Sequence, residues 1–346
     1  MMENITLKTA SAETKIFINL PFINFREEFL SFTQNGYFDN VVIVTDSNVR
    51  AIYGNYFSDY HVIEINPGEE SKSLKNVENI YKQIFDYNID RNGFILGIGG
   101  GVVCDITGYV ASTYLRGVRF GFVATSLLAQ VDASIGGKNG VNFLGYKNII
   151  GTINQPEFVI CDSEMLGTLQ DKEFRCGLAE IVKSSLAGIK ELFTFLENNI
   201  DSINKKEKSV LNKIISDTIK FKVSIVEHDE WDKGIRQILN LGHTFAHAIE
   251  SKTGMSHGEA VSIGICKSAE VSVKLDFFSN MDLERIKSLL NKINLPTITN
   301  IDFTDVLTFI MKDKKRNSDY INYVLLKAIG APLIHKFKIE ELKELI

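Results

Sequence analysis

The sequence predicts an α/β domain built on a parallel sheet, followed by a mostly helical domain. Short apolar runs alternate with helical stretches through the first half of the 346-residue chain, the pattern of a parallel sheet with both faces covered. The second half changes character and reads almost wholly as helices. Only five prolines are present and no Pro-rich linker separates the halves. The boundary therefore falls near Asp162–Thr168, giving domains of 1–165 and 166–346, with the cleft between them as the natural site.

Taken in order, Thr14–Leu20 reads as a strand. Val41–Thr45 (VVIVT) is a buried-strand run that stops at Asp46, and His61–Ile65 is another that enters the turn Pro67-Gly68. Over Ser71–Asn88 the residues Leu74, Val77, Ile80, Tyr81, Ile84 and Phe85 fall on one helical stripe. Phe94–Ile98 is a continuous apolar run that stops at Gly99-Gly100-Gly101, and residues 102–115 read as a helix starting on those glycines. Phe120–Ala124 and Phe158–Cys161 complete the strands, while Val131–Ile150 reads as a glycine-rich loop. Lys172–Leu186, Glu191–Asn199, Lys208–Val226, Ile238–Lys252, Glu259–Lys274 and Leu283–Ile293 then read as helices. Asn322–Leu326 and a short segment near His335 remain as extended chain.

Composition narrows the class. Apolar content of 45% and charged content of 23% are those of a globular protein. A net charge of −5, with no basic block beyond Lys312–Arg316, argues against a nucleic-acid partner. The first thirty residues hold no continuous apolar core of a secretory signal, and no run reaches the length of a membrane span. Cys104, Cys161, Cys176 and Cys266 are scattered and form neither a metal-type pair nor a disulfide framework. A cytoplasmic protein with free thiols, engaging no membrane, is the expectation.

The chemistry concentrates in Leu239–Ala260 (LNLGHTFAHAIESKTGMSHGEA), which holds three of the six histidines. His243 and His247 are four apart and share one helical face, and His257 follows a break at Gly254. Two such imidazoles with a carboxylate from elsewhere would hold Zn²⁺ and leave a position open; ordinary buried or capping histidines are the alternative. Glu180 sits among Leu178, Ala179, Ile181 and Val182, where a carboxylate needs an ion or a partner. A plain helical pair with Lys183 competes with that reading. The turn GIGGGVVCD (Gly97–Asp105) lets backbone approach a phosphate at a helix N-terminus. It is neither the dinucleotide fingerprint, since Val102 takes the third glycine's place, nor a Walker loop. Glu69 and Lys72 in PGEESK could meet ribose and phosphate, or simply form a solvated turn. Lys138, Lys147 and Asn148 in the glycine-rich loop suit a phosphorylated, acidic small molecule, and Asp132 there needs a partner.

Together the blocks PGEESKSL, GGGVVCD, YLRGVRF, VDASIGGK, KNIIG, GLAEIVK, RQILNLGHTFAHAIE, HGEAV and MKDKK resemble the 3-dehydroquinate synthases, within the sugar-phosphate cyclases, over roughly Val41 to Leu326. The resemblance implies a Rossmann-like NAD domain, a helical metal-binding domain and Zn²⁺ or Co²⁺ as the metal. It puts the metal ligands at Glu180, His243 and His257. Cofactor positions fall on Asp46, Asn48, Glu69, Lys72, Gly100, Gly101, Val102, Asp105, Thr125, Ser126, Lys147 and Thr168. Asp132 and Lys138 are shared between cofactor and substrate. The remaining substrate-facing positions are Asn148, Lys183, Lys222, Arg236, Asn240 and His247, with Lys314 or Lys315 of the DKK motif. Arg116 matches an arginine that crosses between subunits of a homodimer.

The activity so implied converts 3-deoxy-D-arabino-heptulosonate 7-phosphate to 3-dehydroquinate and phosphate. It proceeds by transient oxidation at C5, β-elimination, re-reduction and aldol closure. Rival readings are another sugar-phosphate cyclase and a polyol or glycerol-1-phosphate dehydrogenase. Cys104, Ala124 and Asn139-Gly140 depart from the pattern of the resemblance.

Overall fold

The computed structural model describes residues 2–32, 40–301 and 320–346; Lys314 and Lys315 lie outside them. The chain forms two compact units, one of Met1–Leu169 with Lys222–Trp231 and one of Gln170–Phe221 with Asp232–Ile346.

In the first unit, seven strands make one sheet in the order β1-β2-β9-β6-β5-β3-β4. They are β1 (Glu3–Lys8), β2 (Glu13–Ile18), β3 (Val41–Asp46), β4 (His61–Ile65), β5 (Phe94–Gly99), β6 (Arg119–Ala124) and β9 (Phe158–Cys161). All pairings are parallel except β1 with β2. β5 is buried along its whole length and β3 up to its last residue, as continuous apolar runs require when helices cover both faces. Phe29, Phe94, Leu96, Ile43 and Phe158 lead the core against them.

From β3 the chain passes through helix α2 (Ser47–Tyr53) to β4 on one side. It then returns through α3 (Leu74–Asp86) to β5 on the other side of β3. That reversal is a topological switch point, the place where open α/β sheets bind ligands. The two strands flanking it end at Asp46 and Gly99.

Two expectations are corrected here. Leu74 and Phe85 are not on the buried stripe of α3, Phe85 being 73% exposed; Val77, Ile80 and Ile84 carry it, capped by Ser73 accepting from the Asn76 N–H. The glycine-rich loop is in its second part a hairpin, β7 (Lys138–Phe143) with β8 (Tyr146–Ile153). Leu144 and Gly145 turn it at φ 51° and 83°, a left-handed pair that no Asn-Gly or Asp-Gly signals.

The second unit is helical: α5 (Asp171–Gly188), α6 (Lys190–Asn198), α7 (Ile200–Asn204), α9 (His243–Thr253), α10 (His257–Lys274) and α11 (Asn280–Lys292), with a hairpin β10 (Tyr320–Ala328) and β11 (Ala331–Lys338). Helix α8 (Lys208–His228) contributes its first part here. The helix expected over Ile238–Lys252 is two elements, because Gly242 adopts φ +79° between a 3-10 turn (Ile235–Asn240) and α9.

Helix α10 packs against α5, α9, α11 and β10, and two backbone approaches fix it. A Cβ on Gly258 would lie 2.4 Å from Cys176 Cα of α5, and one on Gly264 would lie 2.1 Å from Gly242 O. The four cysteines are free and buried, and burial pushes their thiols up, Cys266 to about 12. Among the described residues no helix is long and apolar enough to cross a membrane.

Gly264→Ala is expected to lower unfolding stability by about 1–3 kcal/mol, the usual cost of overpacking. A urea midpoint equal to that of the unsubstituted chain would show that the Gly242 turn retreats freely.

Candidate functional site

Each donor of the second unit's site is placed by its own element. Glu180 lies mid-way along α5 with no exposed surface. His243 opens α9 directly after left-handed Gly242, and His257 opens α10 behind a Ser256/Glu259 capping box. Glu180 Oε1 lies 3.1 Å from His257 Nε2 and 3.4 Å from His243 Nε2. One ligand atom from each of the three residues falls within 4.8 Å of the others. One carboxylate oxygen and two imidazole nitrogens are the donor set of a catalytic zinc site that keeps a position open, so these residues fit a divalent cation.

The far nitrogens are also held. His243 Nδ1 lies 3.2 Å from Leu241 O, and His257 Nδ1 lies 2.9 Å from Glu250 Oε1. With both Nδ1 atoms engaged, both Nε2 atoms face Glu180: His257 Nε2–H donates to Glu180 Oε1, and a bound cation would take the place of that proton. Lys183, 2% exposed, pairs with the other oxygen of Glu180.

These contacts set the charges. Burial opposes ionisation of Glu180, but Lys183 first and then the imidazoles hold it well below the usual carboxylate range. Burial pushes His243 down to about 3 against the pull of Glu180. Burial also disfavours the His257 imidazolium, yet Glu180 and Glu250 outweigh it and raise that ring to about 10.

Sequence reasoning passed over Glu250, although the argument that picked Glu180 applies to it: it is an acid beside Ala248 and Ile249, and it is buried. His247 is exposed on α9, its ring edge-on to that of His243 with centroids 5.6 Å apart. Arg236 is buried in the 3-10 turn. Asn240 ends that turn at a cleft of about 470 Å³ shared with Gln237, Tyr320, Asn322 and Lys336.

In the first unit, Gly100 and Gly101 open the 13-residue helix α4 (Gly101–Thr113) with no side-chain cap. Its first N–H groups, including that of Val102, therefore point out at the switch point, where they suit a phosphate. Asp46 closes β3 and accepts from the Asn48 and Val49 N–H groups at 2.9 and 3.0 Å. Burial comes first among the influences raising its carboxyl. Thr125 and Ser126 follow β6 and are buried. Thr168 shares a 2.8 Å hydrogen bond with the Tyr53 hydroxyl.

Lys72 is buried and donates to Asp105 at 2.6 Å and to Asn148 Oδ1, with Glu69 at 3.7 Å. Against the cost of burial, Asp105 and then Glu69 raise the lysine above its ordinary value. Asn148 is thus engaged with Lys72. Lys222 donates to Asp132 Oδ1 and O at 2.7 and 2.6 Å, which supplies the partner Asp132 needs. Lys138 starts β7 and is exposed; Lys147 lies in β8. Arg116 is exposed on a turn where Leu115, Arg116 and Gly117 all have positive φ.

The departures at Cys104 and Asn139 are accommodated. Cys104 is buried in α4, and Asn139 fills the space beside Gly108 while donating to Gly137 O and Asn154 O.

Comparison with known proteins joins the two halves. Residues 62–176 match the family model for the 3-dehydroquinate synthase N-terminal region, and residues 177–316 that for the C-terminal region. A 3-dehydroquinate synthase of Dehalococcoides mccartyi is 41% identical over 344 residues, covering 96% of this chain and 95% of that protein. A 2-deoxy-scyllo-inosose synthase solved with carbaglucose-6-phosphate, NAD⁺ and Co²⁺ superposes with TM-score 0.86 at 25% identity, covering 99% of each chain. A 2-epi-5-epi-valiolone synthase of Streptomyces hygroscopicus with NAD⁺ and Zn²⁺ gives 0.82 at 26%, covering 88% of this chain and 91% of that one. With one family spanning both regions, the chain belongs to the 3-dehydroquinate synthases.

Proposed function

We infer that the chain catalyses the phosphate-eliminating lyase reaction of its family. In it, 3-deoxy-D-arabino-heptulosonate 7-phosphate becomes 3-dehydroquinate and phosphate, with NAD and a divalent metal, Zn²⁺ or Co²⁺, as cofactors. The observation that carries this is 41% identity to one such enzyme across 96% of the chain. When bound, the cofactors supply hydride exchange at the substrate's C5 alcohol and Lewis-acid polarisation of that alcohol.

The chain's own residues do the rest. The metal is held by Glu180, His243 and His257, with Glu250 fixing the tautomer of His257. NAD is held in the first unit: pyrophosphate on Gly100, Gly101 and Val102, ribose near Asp46, Asn48 and Glu69, and the remainder by Lys72, Asp105, Thr125, Ser126, Asp132, Lys147 and Thr168. Arg236 clamps the substrate carboxylate, where a guanidinium binds both oxygens, and Lys222 serves the same carboxylate. Lys138, Asn148, Asn240 and a DKK lysine, Lys314 or Lys315, neutralise the phosphate. Lys183 orients the substrate from beside Glu180. The His247 imidazole relays the hydroxyl proton, and the leaving phosphate takes the C6 proton itself. Arg116, exposed on its left-handed turn, serves the site of a second copy in a homodimer. Four buried thiols suit a reducing cytoplasm.

Turnover of the heptulosonate phosphate should release phosphate with catalytic NAD⁺ and no net NADH, and should stop on chelation. Stoichiometric NADH would instead identify a dehydrogenase, and turnover of a carboxylate-free sugar phosphate alone a sibling cyclase.

Zinc uptake at pH 7 should release about one proton. His257 is protonated below its raised value near 10, whereas His243 is neutral and Glu180 ionised. Apparent affinity should then rise about tenfold per pH unit below that value. Calorimetry in buffers of different ionisation enthalpy reads the proton count, and a count of zero contradicts the assignment. Glu250→Gln should weaken zinc binding about 10–100-fold, measured by chelator competition; unchanged affinity would remove Glu250 from the metal's support.

A further inference from the structure

We propose that Asn142 is a positioning residue that ties the Glu69–Lys72 turn to the β7–β8 hairpin, so that cofactor occupancy at the turn sets the order of the hairpin. The proposal rests on the reading of Glu69 and Lys72 as cofactor-side residues given above.

The hairpin register carries the argument. Val141 pairs with Ile150, but the next pair is Phe143 with Tyr146. Lys147, Asn148 and Ile149 therefore stand opposite Asn142 alone, a bulge of the kind that re-aims side chains beside active sites. The bulge holds Asn148 in the left-handed region at φ 53°. In place of ladder bonds, Asn142 uses its own groups. Its Oδ1 accepts from the Asn148 N–H at 2.9 Å, its Nδ2 donates to Glu69 Oε1 at 2.9 Å, and its backbone N–H donates to Lys72 O at 2.8 Å. A parallel bridge between Ser73 and Asn142 continues the same seam.

One carboxamide thus joins the oxygen that faces Lys72 to the amide of Asn148, whose side chain Lys72 also holds. Below the bulge the hairpin has separate support, where Asn139 packs beside Gly108 of α4. Above it the tip residue Leu144 is exposed and left-handed. The bulge is therefore the part whose order depends on Asn142. A ligand that engages Glu69 acts on the same oxygen, and the carboxamide carries that change to the residues meant for substrate. Such coupling is a free energy between two sites and is measurable as one. Only a group that donates and accepts at once does this. Aspartate would keep the acceptor for Asn148 but lose the donor and set a charge against Glu69.

The test is amide hydrogen exchange on the full chain, with and without NAD⁺. In Asn142→Ala, amides of residues 146–149 should exchange about tenfold faster than in the unsubstituted chain, the effect of one lost hydrogen bond, while Gly140 and Gly151 stay unchanged. NAD⁺ should slow residues 146–149 in the unsubstituted chain and not in Asn142→Ala. Asn142→Asp should keep the apo protection and lose the NAD⁺ response. Equal apo exchange in Asn142→Ala, loss of protection throughout the hairpin, or an NAD⁺ response intact in both variants would overturn the proposal. If NAD⁺ fails to bind the unsubstituted chain, the cofactor reading falls, and the apo comparison still decides whether Asn142 orders the bulge.

Discussion

Helix α10 can lie against the backbones of α5 and of the Gly242 turn only because Gly258 and Gly264 carry no side chain. The three metal-type donors of the second unit depend on that intimacy. Glu180 comes from α5, His243 from the residue after Gly242, and His257 from the first turn of α10. Their separations of 3.1 and 3.4 Å are set by how near three stretches of main chain come. Long side chains could reach across a looser packing, but each would then lose rotamer freedom on binding. Short reach from rigid elements is what keeps coordination geometry tight.

Several of the buried charges among the described residues are met by their opposites. Lys183, Glu180, His257 and Glu250 alternate in sign along one chain of contacts. Lys72 lies between Asp105 and Glu69, and Lys222 against Asp132. Pairing is what makes such burial tolerable, since a lone ion in the interior carries a desolvation penalty of several kcal/mol or more. It also lets a chain of net charge −5 hold Lys72, Lys183 and Lys222 in its interior, each against a carboxylate.

Much of this was legible in the residues themselves. The continuous runs at Val41, Phe94 and Phe158 became strands of the sheet because parallel strands covered on both faces leave no polar alternation to misread. The histidines stood out by their clustering, three of the six being His243, His247 and His257, and Glu180 because a carboxylate among apolar neighbours needs a partner. What stayed hidden depends on long-range pairing. The β7–β8 hairpin turns on Leu144-Gly145, a dipeptide with no turn signature, and the role of Asn142 exists only once that hairpin has folded with its bulge. Lys222 shows the same limit. Its substrate-facing place was only what the resemblance implied, and the fold alone reveals Asp132 ninety residues away as its partner.

The four interior thiols carry a practical consequence. Each is enclosed and held in its protonated form, and only a thiolate attacks an electrophile. Thiol-directed reagents therefore meet no accessible cysteine on the native molecule. Sulfur modification becomes a clock for opening of the interior, with Cys104 and Cys161 timing the sheet unit and Cys176 and Cys266 the helical one.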